Sequence, residues 1–180
     1  MASHPTTLLI SGSLRAASTN VALLRTAQEL LGGAPAAQLY DGLGSLPHFN
    51  PDDDVEPLPA PVVGLRAALA SATCLLFCTP EYAGDLPGSF KNLLDWTVGG
   101  IEINDTPAAW VNVSTSATAA AGAHAALRTV LTYTGAAVVD AACVHLPVPR
   151  DTIGPDGTIH DDDIRTRLRA VLDTLVDAPA

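Results

Sequence analysis

Two runs of this chain, residues 6–11 (TTLLIS) and 73–79 (TCLLFCT), are apolar at nearly every position and rich in β-forming side chains. A strand with one wet face alternates polar and apolar residues. A run without alternation belongs in a sheet covered on both faces, as parallel strands are. Further runs of this kind lie at 109–114 (AWVNVS) and 137–146 (AVVDAACVHL), with a weaker one at 36–40 (AAQLY). Helical patterns separate them. Val21, Leu24 and Leu31 fall on one face, widened by Leu23, Ala27 and Leu30, and residues 62–71, 87–97, 120–133 and 162–176 complete the set. The last is the clearest, with Ile164, Leu168, Val171, Leu172, Leu175 and Val176 on one stripe. Strand and helix alternating along the chain predict an α/β fold, a doubly wound parallel sheet with helices on both faces. Neither an internal repeat nor a composition break divides the 180 residues, so one domain spanning 1–180 is expected.

Composition narrows the partners. Nine Lys+Arg against nineteen Asp+Glu give a net charge of −10, which repels nucleic acid and anionic membrane alike. The N-terminal MASHPTTLLISGS has no basic region and too short an apolar run for a signal peptide, and no stretch approaches a membrane span, so a cytoplasmic protein is expected. Cys74 and Cys78 share one strand-like run, where four residues put them ~13 Å apart, beyond disulfide reach. Three buried thiols in a reducing compartment are expected. The five histidines show no metal-ligand spacing, and His160 with Asp161, Asp162 and Asp163 reads as a charged helix start. Asp52, Asp53 and Asp54 read as a solvated loop rather than a cation site, and no G-x-S-x-G nucleophile elbow occurs.

Ligands of open α/β sheets bind beyond the carboxyl ends of the strands, which nominates the turns after residues 11, 79 and 114. In the first, Ser11-Gly12-Ser13 is followed by Arg15, Ser18, Thr19 and Asn20. A guanidinium among hydroxyls at a helix start suits a phosphate. The alternative, that Ser18, Thr19 or Asn20 is merely an N-cap, leaves Arg15 unexplained. Neither the triphosphate P-loop nor the G-x-G-x-x-G dinucleotide pattern is present. In the second turn Pro80 and Pro87 stiffen the chain, Tyr82 offers a flat face, and Gly84 and Gly88 admit close approach. Phe90, Leu93, Leu94 and Trp96 beyond it read as core, and Lys91 with Asp95 as a surface pair. The third turn, Ser114 to Ala123, offers Thr115 and Ser116, or is only a helix start. The long segment 41–61, with five prolines and two glycines, is expected to border the acceptor pocket, within one subunit or across a subunit interface.

GSLRAASTN at 12–20 and TPEYAGDLPGSFKNLLDW at 79–96 resemble the NADPH-dependent FMN reductase family, which includes quinone, chromate and azo reductases; the similarity runs from about residue 6 to 146. The resemblance implies a flavodoxin-like fold, in keeping with a five-stranded parallel sheet, and FMN as ligand. Ser13, Arg15, Ser18 and Asn20 match its phosphate-binding positions, with Ser11 and Thr19 beside them. Pro80, Glu81 and Tyr82 match the loop along the isoalloxazine ring, with Ala83 and Gly84 continuing it. Thr115 or Ser116 would touch the flavin's polar edge. The chain departs from the family at Ala83, often Asn, and in the third turn, where only Gly122 remains of several glycines. The implied activity is electron transfer from NADPH or NADH through FMN to a quinone or other small acceptor, in a homodimer or homotetramer. No side chain is assigned a catalytic role, since the cofactor carries the redox chemistry. A flavodoxin-type electron carrier and a flavin-free binding module of the same fold are the alternatives.

Overall fold

The structure, a computed structural model, describes residues 6–179. His4 and the remainder of 1–5, part of the N-terminal reading above, lie outside the described residues. The chain runs β1 (Thr7–Ser11), α1 (Thr19–Leu30), β2 (Ala37–Tyr40), α2 (Ala60–Ser71), β3 (Cys74–Cys78), α3 (Gly88–Asp95), β4 (Pro107–Asn112), α4 (Ala121–Tyr133), β5 (Ala137–Val138), β6 (Val144–His145) and α5 (Asp162–Val176). The sheet order is β2-β1-β3-β4-β5 and every pairing is parallel. This is the flavodoxin-like order, in which the chain reverses its winding between β1 and β3.

β1, β3 and β4 are buried at every residue, the condition that removed alternation from their sequences. Their side chains nevertheless sort by pleat into two cores. Leu9, Leu76 and Val111 face α1 and α5, packing on Leu23, Leu24, Leu168 and Leu172. Leu8, Phe77 and Trp110 face α2, α3 and α4, packing on Leu65, Phe90 and Leu127. Each fully buried Leu or Phe contributes about 1.5–3 kcal/mol of transfer free energy, so the two layers together anchor the strand ends that carry the turns.

One element differs from the sequence expectation. The run 137–146 is two strand pieces interrupted by a 3-10 turn at Asp140–Ala142. β5 pairs with Pro107 and Ala108 and β6 with Val111 and Asn112, so the turn steps over the middle of β4. Asp140 stands at the break, on the exposed edge of the sheet, and its side chain meets Arg128 of α4 at 2.7 Å.

Segment 41–61 is likewise more ordered than a loop reading implies, with 3-10 turns at Gly42–Ser45 and Pro51–Asp53. It is fastened to α3. The Phe49 amide donates to Asn92 Oδ1 at 2.8 Å, while Asn92 Nδ2 and Trp96 Nε1 both donate to the Pro47 carbonyl, at 2.8 and 2.9 Å. Phe49 meets Trp96 edge to face at 5.0 Å. Asp54 pairs with Arg66 of α2 at 2.8 Å, which accounts for one of the three consecutive aspartates.

Candidate functional site

The turns after β1, β3 and β4 converge at the carboxyl end of the sheet around a cleft of about 460 Å³. β1 delivers the first turn. The Gly12 amide donates to the Cys78 carbonyl at 2.9 Å, and a Cβ on Gly12 would overlap the Thr79 side chain. Glycine there lets the first two turns lie against each other. Ser13 then donates its amide to Ser11 Oγ at 3.1 Å, and Arg15 donates its amide to Ser13 Oγ at 3.3 Å. These two bonds curl the chain so that Arg15 emerges exposed at the cleft mouth. Its guanidinium has no ion pair among the described residues.

α1 begins at the floor of this turn. Ser18 stands at the N-cap position in extended backbone, yet its side chain makes no capping bond, and no acidic residue occupies the first turn. The first amides of α1 therefore keep their donors and their share of the helix dipole for whatever fills the cleft. Ser18 Oγ instead accepts from Asn20 Nδ2 at 3.4 Å, and Asn20 Oδ1 accepts from the Cys78 thiol at 3.2 Å. Burial pushes the Cys78 thiol far up from its usual range, so it stays a protonated donor. Asn20 is in this way locked by β3, and with Ser18 it lines the cleft.

The second turn forms the opposite wall through Thr79, Pro80, Glu81 and Tyr82. Glu81 has a structural task as well: Oε2 accepts the Ala123 amide at 3.1 Å, at the start of α4. Gly122 completes that docking, since a Cβ there would collide with the Gly84 carbonyl. The last glycine of the third turn is therefore the one that α4 requires against the second. Ser114, Thr115 and Ser116 close the third side. Their hydroxyls run in a chain, Ser114 Oγ to Ser116 Oγ at 2.8 Å and on to Thr118 Oγ1 at 3.3 Å. Asn112 at the end of β4 holds this turn, accepting the Ser114 amide at 3.0 Å and donating to the Ala119 carbonyl.

Of the residues nominated from sequence, Ser13, Arg15, Ser18, Thr19, Asn20, Pro80, Glu81, Tyr82, Thr115 and Ser116 line this one cleft. Ser11 stands behind the wall as the acceptor for Ser13. Ala83 and Gly84 are exposed and outside the lining, because the chain leaves the cleft at Tyr82 in a tight turn. No residue of 41–61 lines the cleft; the bonds of that segment go to α3 and α2, so any part it takes in an acceptor pocket lies outside this cleft. Thr79, Val113, Ser114, Ala120, Val148 and Arg150 also line it and were not singled out. Arg150 is the consequential omission. It lies in a 3-10 turn at Arg150–Thr152, just past the last strand, where the rule about carboxyl strand ends would have found it.

Other features carry no chemistry. Cys74, Cys78 and Cys143 are free; the first two are buried and Cys143 is half-buried, with its thiol raised to about 11 mainly by desolvation. Among the described residues no group of three or more His, Cys, Asp or Glu is placed to hold a metal ion. No described helix is long and apolar enough to cross a membrane. Lys91 and Asp95 do form an i,i+4 ion pair, and Asp161 caps α5 by accepting the Ile164 amide at 2.9 Å.

Comparison with known proteins agrees with this geometry. Residues 5–148 match the family model for NADPH-dependent FMN reductase. An NAD(P)H-dependent FMN reductase of Pseudomonas aeruginosa is 30% identical over 168 residues, covering 92% of this chain and 90% of that protein. A 2-hydroxy-1,4-benzoquinone reductase of a Burkholderia species is 30% identical over 170 residues, covering 92% and 91%. Among solved structures, the flavoenzyme NAD(P)H:(acceptor) oxidoreductase FerB of Paracoccus denitrificans superposes with a TM-score of 0.79 at 29% identity, over 96% of each chain. The fold, the three convergent turns and these matches have one conclusion: the chain belongs to the NADPH-dependent FMN reductase family.

Proposed function

We propose that this chain is an NAD(P)H-dependent FMN oxidoreductase that reduces a quinone or similarly small acceptor, with the three-turn cleft as its FMN site and residues 1–180 as one FMN-binding domain. The donor set of the cleft fits the cofactor. A volume of about 460 Å³ lies within the usual range for cofactor pockets. One end offers free helix amides and a guanidinium, as a phosphate requires, and the other offers backbone and hydroxyl groups beside Pro80 and Tyr82. The single observation that carries the reading is the first: an uncapped α1 N-terminus facing the cleft beside an Arg15 that has no ion pair among the described residues.

In this reading Arg15, Ser13, Ser18, Thr19 and Asn20 hold the phosphate, and Pro80, Glu81 and Tyr82 lie along the ring. Thr115 and Ser116 meet its polar edge. Bound there, FMN supplies hydride acceptance from NAD(P)H and electron delivery to the acceptor. The protein's part is to fix the ring and leave one face accessible. Pro80 and the Glu81–Ala123 bond make the second wall rigid, while the half-exposed Tyr82 flanks the open side. Glu81 Oε2 is held by the α4 amide, a structural part in keeping with redox chemistry that resides in the cofactor.

The reading extends to a homodimer or homotetramer. Val55, Val98 and Ile101 are 61, 64 and 84% exposed, and the Asp54 carboxylate abuts Gly99, so the chain segments that carry the first two are neighbours. Such exposed apolar side chains suit burial against a second copy. A cytoplasmic location accords with three free cysteines. Titrating apo-protein with FMN and following NAD(P)H oxidation upon adding menadione tests the function. Absence of flavin binding defeats it, and binding without NAD(P)H oxidation favours the electron carrier instead.

A further inference from the structure

The cations of this acidic chain are distributed unevenly. Of nine Lys+Arg, six are in ion pairs: Arg66, Lys91, Arg128, Arg165, Arg167 and Arg169. The three without a carboxylate partner among the described residues are Arg15, Arg25 and Arg150. All three line two adjoining clefts. The first is the cleft described above; the second, of about 360 Å³, lies on the other side of the first turn and shares Ser18, Thr19 and Arg150 with it. Three unneutralised guanidiniums around two connected hollows, in a chain of net charge −10, make a local positive site where anions concentrate.

The second cleft is built rather than incidental. Its far wall is the hairpin closed by the Ile153–Ile159 bridge, and the Ile159 amide donates to Thr26 Oγ1 of α1 at 2.8 Å, a bond that is fully buried. Arg25 projects from α1 against that hairpin, where a Cβ on Gly157 would come within 2.8 Å of its Nη1. Glycine at 157 thus leaves the guanidinium its seat. Between the cations the walls are small and apolar, formed by Ala17, Val21, Ile153 and Pro155. Apolar walls flanked by guanidiniums match a nucleoside base carrying phosphate.

We propose that the Arg25–Arg150 cleft is an adenylate subsite, continuous with the phosphate end of the FMN site through Arg150. This rests on the FMN reading of the first cleft. Adenylate is the chemistry shared by two molecules that would reach it. One is the second half of FAD, whose added phosphate directly follows the flavin phosphate. The other is the adenosine half of NAD(P)H, whose 2′-phosphate in NADPH adds another anion.

The test uses the FMN-loaded protein and Arg25→Gln, because Arg25 lines the second cleft alone. Calorimetric titration with AMP and with 2′,5′-ADP is expected to show binding by the wild type. Arg25→Gln should weaken it about tenfold to a hundredfold, the loss of one charge-assisted contact, and Arg25→Lys should restore part of it. FMN affinity of the apo-proteins and melting temperature should stay within about twofold and within error, which separates a binding role from a structural one. If FAD is the source, wild-type apo-protein binds FAD more tightly than FMN, and Arg25→Gln abolishes the difference. If NAD(P)H is the source, FAD has no advantage and Arg25→Gln raises the KM for NADPH by about tenfold. Failure of AMP and 2′,5′-ADP to bind the wild type, or binding indifferent to Arg25→Gln, overturns the proposal. Failure of FMN itself to bind defeats the reading of the first cleft separately, and the AMP titration of the protein as purified still decides the second.

Discussion

The amide of Tyr82 donates to the Asp85 carbonyl at 2.9 Å, and the Asp85 amide returns a bond to the Tyr82 carbonyl at 3.1 Å. The pair closes a two-residue turn whose central residues, Ala83 and Gly84, have φ of 53° and 81°. Positive φ at both centres is the type I′ arrangement, for which Asn-Gly is the favoured dipeptide. The departure at Ala83 thus bears directly on backbone conformation.

Ala83→Asn is accordingly expected to stabilise the protein by about 0.5–1 kcal/mol, since Asn enters the left-handed region several-fold more readily than Ala. FMN affinity should stay within about twofold, because residue 83 is exposed and outside the cleft lining. Urea unfolding and a flavin titration of both proteins check the two halves.

The third turn holds the same device. Ala119 and Ala120 have φ of 48° and 47° in succession, where glycine would sit without strain. A left-handed alanine costs roughly 1–2 kcal/mol, and glycine's extra unfolded-state entropy returns roughly 0.5–1 of that. Ala119→Gly should therefore raise stability by about 0.5–1 kcal/mol, whereas Ala119→Val, β-branched, should lower it by more than that. Thermal melts of the two variants order the three proteins.

Asn92 tests what fastens segment 41–61. Its side chain both accepts from Phe49 and donates to Pro47, so Asn92→Ala removes two bonds worth about 0.5–1.5 kcal/mol each. Unfolding free energy should fall by about 1–3 kcal/mol. The KM for quinone should be unaltered, since the segment does not line the cleft of the single subunit. A changed KM with intact stability would return the segment to the acceptor pocket.

His124 gives a pH signature. Its Nδ1–H donates to the Ala120 carbonyl at 2.7 Å, and Nε2 is buried without a partner. Burial lowers its pKa, outweighing the Ala120 bond and the nearby Glu81 carboxylate that raise it, with His145 lowering it further. Below about pH 6.5 the unfolded chain takes up a proton that the folded chain refuses. This group's contribution is complete above that pH and is lost as pH falls toward the folded value. The difference in melting temperature between wild type and His124→Phe should therefore shift against the wild type on going from pH 7.5 to 5.5 (about one unit either side of that pKa). A pH-independent difference would mean that His124 titrates as in the unfolded chain.

How far the sequence reached depended on how local each signal was. α5 was legible to its ends, because Asp161 caps it and its apolar stripe is unbroken from Ile164 to Leu175. The turns after β1 and β3 were legible because each is a contiguous cluster of unusual residues. The break at Asp140 was hidden inside a run that otherwise reads as β, and the ion pair of Asp140 with Arg128 of α4 exists only in the folded chain. Arg150 was missed for a related reason. It enters the cleft from a segment without periodicity, and its sharing of a lining with Ser18 and Thr19 exists only in three dimensions. That Ala83 stands outside the cleft lining was not legible, because a motif gives the order of residues but not the point at which the chain turns away.

The central claim is that the uncapped start of α1 and Arg15 together bind the FMN phosphate. Arg15 is exposed and makes no ion pair among the described residues, so Arg15→Ala should fold as the wild type does. Titration of the two apo-proteins with FMN, followed by quenching of flavin fluorescence, is the direct measurement. Loss of one charge-assisted contact should weaken binding about tenfold to a hundredfold, or about 1.5–3 kcal/mol, with the melting temperature of the apo-protein unmoved. Equal FMN affinity in wild type and Arg15→Ala would contradict the claim and leave Arg15 a surface residue.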